Sequence, residues 1–225
     1  MNVLITGKSS GLGKYLLTQF EGADSFSRDS KIGKFAKNHY DLVIHSAATV
    51  AHYNWSDEIP YSFIEDNIFL TKDILGLNFS RFVYISSIDQ SKDTPYGVSK
   101  RLGEAMIRSK LDNFLIIRPS ALLGNEMREN SFKKILNNQN IGLSSNSIMN
   151  YILYEDVLDL ILSGQKGTVT LRAKEDISLD AVASLTNSKS EFGDYKFVIE
   201  NPVDSLSIDK TSRENIEIFL SNRNE

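Results

Sequence analysis

The sequence predicts an α/β protein built on a doubly wound parallel sheet, and three observations carry that expectation. Short apolar runs alternate with helix-like segments along the first two thirds of the chain. Those runs lack a clean in–out alternation, as befits strands covered on both faces. A glycine-rich turn directly follows the first run, where a strand would pass into a helix.

The runs are "NVLIT" (2–6), "DLVIHS" (41–46), "RFVYIS" (81–86) and "FLIIRP" (114–119). Between them lie helical stripes: Leu12, Leu16, Leu17 and Phe20; Ile64, Ile68, Ile74 and Leu75; and Val98, Leu102, Ala105 and Met106. A short strand is expected in "DSFSRDS" (24–30), ending at Ser27 and Arg28. The stretch from there to Tyr40 is too short and polar for a helix plus a third strand, so that edge strand is expected to be truncated or missing. After Pro119 the pattern loosens. "LLGNEMRENS" (122–131) is turn-rich, and the stripe Val157, Leu158, Ile161 reads as a helix. Beyond it come a strand at "GTVTLRA" (167–173), a helix capped by Ser178, a strand near "YKFVIE" (195–200) and a terminal helix over 207–222. The expected organisation is a dinucleotide-binding domain over 1–165 and a small C-terminal lobe over 166–225, joined by part of 120–150.

Bulk properties narrow the function. At 225 residues, with 41% hydrophobic and 24% charged residues, the chain can bury a core of ordinary size. A net charge of −4 gives no sign of nucleic-acid binding. With no cysteine, disulfides and thiolate chemistry are excluded. The three histidines, His39, His45 and His52, lack metal-helix spacing, so no metal site is expected. No apolar run approaches the ~20 residues of a membrane span. "MNVLITG" is too short and poorly flanked for a signal peptide, which makes a cytoplasmic protein the default.

The loop "TGKSSGLG" (6–13) contains Gly7, Lys8, Ser9, Ser10, Gly11, Leu12 and Gly13. Gly7 permits a tight turn, Gly11 lets backbone approach a pyrophosphate, and Gly13 permits close helix packing. Amides at the helix start would face the anion. No Gly-Lys-Ser/Thr closes the motif, so it is not a P-loop. At the end of the second strand, Arg28 is suited to a 2′-phosphate, with Ser27 and Lys8 beside it. This charge favours NADP(H) over NAD(H); the competing readings make Arg28 a solvated charge or give the ribose hydroxyls to Asp29.

In "YISSIDQSKDTPYGVSK" (84–100), Tyr96 and Lys100 lie one helical turn apart and share a face. A free tyrosine, with a pKa of about 10, is a poor base near neutrality. A lysine cation one turn away favours the phenolate and lowers that value. The bland alternative is an ordinary surface-helix pair, and His45 in "VIHSAA" reads as a packed, satisfied histidine. Trp55, His52 and Tyr53 serve equally well as loop packing or as substrate contacts.

In their order along about residues 1–163, these features resemble the short-chain dehydrogenase/reductase superfamily, extended type. "DLVIHSAA" is similar to that branch's fourth strand, "EDNIFLTKDIL" to the helix carrying its asparagine, "RPSALLG" to its Arg-Pro segment, and "YILYEDVLDLI" to its valine-aspartate helix. The resemblance implies a Rossmann-like fold with a small substrate lobe. It makes Tyr96 the proton donor or acceptor, Lys100 its activator and a ribose ligand, Ser87 the ligand of the substrate oxygen, and Asn67 a support of the relay. Ala47 and Ala48 would let the cofactor lie close, and Pro119 and Ser120 would line the nicotinamide side. It also implies a nucleotide-activated sugar as substrate, and a homodimer through the helices after Pro60 and Pro95.

The segment "IDQSKDTP" (88–95) is shorter than is usual there, and no Asp-Glu pair follows Ser87. Dehydration is therefore disfavoured, and ketone reduction or 4-epimerisation remains. The rival readings are a reductase of a non-sugar carbonyl compound and a non-catalytic nucleotide-binding sensor.

Overall fold

The computed structural model describes residues 1–27, 29–50, 53–202 and 205–223. Two compact units emerge, residues 1–118 with 158–169 and residues 119–157 with 170–225.

The first unit is the alternating α/β part. Its elements are β1 (Val3–Thr6), α1 (Gly11–Gln19), β2 (Asp24–Phe26), β3 (His39–His45), α2 (Tyr61–Ile64), α3 (Leu70–Ile74), β4 (Asn78–Ile85), α4 (Pro95–Lys110) and the start of β5 (Phe114–Pro119). The strands pair in parallel in the order β2-β1-β3-β4-β5, a doubly wound, Rossmann-like arrangement. All four residues of β1 are buried, as are the last four of β3 and of β4. Covering both faces explains the unbroken apolar runs, and each fully buried aliphatic side chain contributes about 1.5–3 kcal/mol.

Between β2 and β3 the described residues hold a 3₁₀ turn, Ile32–Lys34, and no strand. Among the described residues no edge strand lies between β2 and β3, as expected from this short polar stretch. Phe35, at the end of this turn, joins the core and meets the Phe26 ring at 5.7 Å. One aromatic side chain thereby covers apolar surface beside β2.

Thr6 is in register with His45, and His45 with Tyr84. These three buried residues therefore line up across the carboxyl ends of β1, β3 and β4, the end where parallel sheets bind ligands. Between α2 and α3 the helix widens into a π segment, Glu65–Phe69, in which the Leu70 amide donates to the Glu65 carbonyl.

The second unit contains β6 (Ala121–Leu123), α5 (Ser131–Leu136), β7 (Ile141–Leu143), β8 (Ile148–Met149), β9 (Tyr151–Leu153) and most of β10 (Gly167–Ala173). Also in it are β11 (Ile177–Ser178), α7 (Leu179–Thr186), β12 (Phe192–Tyr195), β13 (Ser205–Ile208) and α8 (Ser212–Asn222). The helix α6 (Tyr154–Leu162) begins in this unit and ends in the first. Ser178 caps α7 by accepting from the Ala181 amide at 3.2 Å. The strand expected near 195–200 lies earlier, at β12, with Val198 making a single bridge to Ile148. The terminal helix starts later than expected, at Ser212. Ser207 and Ile208 pair instead with β10, and Thr211 forms a capping box with Glu214.

Candidate active site

The glycine loop is built for close approach. Gly7 and Gly11 have φ of 81° and 58°, the left-handed region that glycine adopts without strain. A Cβ on Gly13 would lie 2.3 Å from the Gly7 carbonyl oxygen and 2.6 Å from Ser46 Oγ. Helix α1 therefore packs backbone to backbone on the end of β1. Ser10 stands at its N-cap without making a side-chain cap bond, so the first-turn amides are not capped by that hydroxyl. Positive-φ glycines, a cradle that a Cβ would fill and such amides together fit a dinucleotide pyrophosphate. Lys8 is half-buried in this loop, and Ser9 and Ser10 are exposed. Ser27 closes a turn with Ser30, whose amide donates to the Ser27 carbonyl at 2.9 Å. Arg28, expected to read the 2′-phosphate, lies outside the described residues, as does His52.

The segment after β3 is tied to this loop through a buried hydrogen-bond chain. Thr71 Oγ1 donates to the Asn67 carbonyl at 3.2 Å, so it accepts from His45 Nε2 at 2.9 Å. His45 Nδ1 then accepts from Thr6 Oγ1 at 2.7 Å, and that oxygen takes the Ala47 amide at 3.0 Å. Every polarity agrees with a neutral imidazole protonated on Nε2. Burial, assisted by the Lys100 cation, pushes His45 down to about 3. Sequence reasoning expects a satisfied histidine here, and the geometry supplies its partners.

A folded pKa below the unfolded value means that the unfolded state binds more protons, so stability is lost as pH falls through about 6.5 toward 3. Keeping His45 neutral is expected to cost about 2 kcal/mol of folding free energy at pH ~5 and about 3 kcal/mol at pH ~4. Ring ¹⁵N shifts of labelled protein should show an Nε2-protonated neutral imidazole across that range. A titration midpoint near the free value of about 6.5 contradicts the assignment.

Asn67 is 2% exposed within the π segment. Its amide group brackets Thr49, accepting from the Thr49 amide at 2.9 Å and donating to the Thr49 carbonyl at 3.0 Å. Widened turns of this kind are frequent at functional sites. No periodicity in the sequence announces this one.

Tyr96 and Lys100 lie in the first two turns of α4. Thr94 caps this helix by accepting from the Gly97 amide at 3.1 Å, and Pro95 occupies its first turn. Both side chains are buried, at 9% and 2% exposure. The Lys100 ammonium donates to the Ile85 carbonyl at 3.0 Å and lies 4.9 Å from the centre of the Tyr84 ring and 5.7 Å from that of Tyr96. Two aromatic faces thus help hold a buried cation. Tyr84 itself is driven upward in pKa by burial, with Tyr96 and Glu104 adding to the effect, so it stays a neutral phenol.

The two serines at the end of β4 differ in their commitments. Ser86 is buried and donates to Glu104 Oε1 at 2.7 Å. Ser87 is half-buried and caps the 3₁₀ turn Ile88–Ser91, its Oγ accepting from the Asp89 amide at 3.1 Å. That bond leaves the Ser87 hydroxyl proton for another acceptor. The following segment is clamped on α4: Arg101 donates to the Gln90 and Lys92 carbonyls at 2.5 and 2.9 Å. A Cβ on Gly97 would fall 2.3 Å from the Lys92 oxygen. Trp55 Nε1 donates to Asp93 at 3.3 Å.

Ala47 and Ala48 are half-buried just after β3. Pro119 and Ser120 belong to the second unit, where the Ser120 amide donates to the Leu171 carbonyl at 3.0 Å. Among the described residues the Ser120 hydroxyl is buried without a hydrogen-bond partner. Also among them, no group of three His, Asp or Glu side chains could hold a metal ion, and no helix is long and apolar enough to cross a membrane.

The model of the NAD dependent epimerase/dehydratase family matches residues 3–162. The chain belongs to that family. It is accordingly an NAD(P)-dependent enzyme of the oxidoreductase or epimerase kind and an extended-type short-chain dehydrogenase/reductase. No curated protein matches its sequence. Among solved structures it is similar to dTDP-4-dehydrorhamnose reductase from Bacillus anthracis in complex with NADP, at 17% identity and TM-score 0.77, covering 98% of this chain and 99% of that one. The ortholog from Clostridium acetobutylicum gives 18% and 0.76, with both chains fully covered. UDP-glucuronic acid 4-epimerase from Bacillus cereus, in complex with UDP-glucuronic acid and NAD, gives 13% and 0.74, covering 99% and 100%. At these identities the family's fold is what is shared.

Proposed function

We propose that this family member is an NADP(H)-dependent reductase or 4-epimerase of a nucleotide-activated sugar. The observation that carries the reading is the buried Lys100 ammonium held beside the Tyr96 ring, on a helix that starts where β4 delivers Ser87. Support for the substrate class comes from the solved relatives, a sugar-nucleotide reductase and a sugar-nucleotide epimerase.

When bound, the nicotinamide dinucleotide supplies the hydride donor or acceptor. The loop 7–13 would hold its pyrophosphate, and Ala47 and Ala48 would let it lie close. Tyr96 moves the proton at its phenol oxygen, giving it to a carbonyl oxygen or taking it from a hydroxyl. Lys100 favours the phenolate through its charge and binds the ribose. Ser87 donates its hydroxyl proton to the same substrate oxygen, and Asn67 fixes the backbone at Thr49 beside the relay. With no Asp-Glu pair after Ser87, water elimination lacks its acid and base.

The test is a panel of dTDP- and UDP-activated keto and hydroxy sugars with simple ketones as comparison, each with NADPH and NADH. Fluorescence binding of both cofactors to wild type and Arg28→Ala accompanies it. Turnover confined to nucleotide sugars is expected, with NADPH bound more tightly until Arg28 is removed. Turnover of the simple ketones alone overturns the substrate class. Equal affinities in all four binding cases overturn the role of Arg28.

A further inference from the structure

Helix α4 carries a further buried polar residue, Glu104, on the face that bears Tyr96 and Lys100. Glu104 follows Lys100 by one turn, and its side chain is 1% exposed. Four donors saturate the carboxylate. Oε1 accepts from Ser86 Oγ at 2.7 Å and Arg118 Nε at 2.8 Å, while Oε2 accepts from Nη2 of Arg118 and of Arg108, each at 2.5 Å. A carboxylate offers about four lone-pair sites, so none is left over. Burial alone would raise its pKa, but Arg118, Ser86 and Arg108 outweigh that and hold it below the usual carboxylate range. Saturated, ionised and inaccessible, Glu104 cannot exchange a proton with a substrate.

What it can do is fix distances. Lys100 and Glu104, successive turns of α4, grip Ile85, the last residue of β4, and Ser86 just after it, through a carbonyl and a hydroxyl. The next residue is Ser87. Arg118 reaches the same carboxylate from β5, and the Ser86 amide donates to the Ile117 carbonyl at 2.7 Å, which locks the two strand ends together. We propose that Glu104 is a positioning residue for the reaction. Its carboxylate sets the depth at which the Ser87 end of β4 meets the Tyr96–Lys100 face of α4. This role rests on the function proposed above.

Glutamine is the informative replacement, because it keeps the shape but turns one oxygen into a donor facing donors. The expected result for Glu104→Gln is a kcat lower by up to about 10²-fold, with KM and NADPH affinity close to wild type. Glu104→Asp, which keeps the charge, should recover part of that loss. In the NADPH-bound protein, backbone amide exchange should quicken at Ser86, Ser87 and the first turns of α4, and stay unchanged over 7–13. Wild-type kcat in Glu104→Gln overturns the inference, and so does a kcat loss that follows the fraction of protein able to bind NADPH. If Glu104→Gln fails to fold, Ser86→Ala, which removes one donor, is read in the same way. Should wild type turn over nothing in the sugar panel, the proposed function fails by itself. The exchange pattern then decides the role of Glu104, and a uniform or absent change counts against it.

Discussion

Replacing Tyr96 by phenylalanine is expected to lower kcat by about 10²–10⁴-fold while cofactor affinity stays near wild type. The substitution deletes one oxygen and keeps the ring, so the aromatic face near the Lys100 ammonium remains. Lys100 keeps its bond to the Ile85 carbonyl, and Thr94 still caps α4. What disappears is the group proposed to move a proton at the substrate oxygen. Steady-state rates with an accepted sugar nucleotide, compared with NADPH binding by fluorescence, separate the two effects. Unchanged turnover would show that some other group carries the proton. A parallel loss of NADPH binding would show that the phenol is needed to hold the site together.

The second large effect is expected at Gly13. An alanine there places a methyl group 2.3 Å from the Gly7 carbonyl oxygen and 2.7 Å from its carbonyl carbon. Neither atom can swing aside like a side-chain end, because Gly7 sits in a turn at φ 81°. Either α1 backs away from β1 or the Gly7 peptide moves, and both displace the amides proposed to hold a pyrophosphate. Overpacking of this kind costs about 1–3 kcal/mol of stability. Losing one charge-assisted hydrogen bond, worth about 1.5–3 kcal/mol, weakens cofactor binding roughly 10- to 100-fold. Gly33→Ala serves as the control, since a Cβ there meets nothing within 4 Å and φ is not positive. Denaturant midpoints and NADPH titrations of both variants check the contrast. An unaltered Gly13→Ala protein would mean that the loop is not a tight cradle.

Why the sheet could be read from the sequence, and the rest less well, follows from which residues carry the signal. Strands covered on both faces must be apolar at nearly every position, so β1, β3, β4 and β5 stand out as runs. Their starts do not: β3 begins at His39 and β4 at Asn78, exposed polar residues whose side chains hydrogen-bond to each other. The Tyr96–Lys100 spacing was legible because a helix converts sequence distance directly into a shared face. The π segment around Asn67 changes the helical period for one turn, and apolar spacing does not register that. The part played by Glu104 was hidden for another reason. Arg108 is a helical neighbour, but Ser86 and Arg118 reach the carboxylate only because strand pairing brings the ends of β4 and β5 together. Short elements of the second unit, such as β8 and β11 with two residues each, contain too few positions to show any period.

The segment between Ser87 and Tyr96 is anchored by Arg101 through two carbonyls and lies against a glycine with no side chain to intervene. Its conformational entropy is therefore surrendered once, when the chain folds, and not again each time a ligand arrives. A ligand meeting that pre-set rim is selected by fit, without a disorder-to-order step. Differences in affinity between ligands should then reside in how fast they leave more than in how fast they enter.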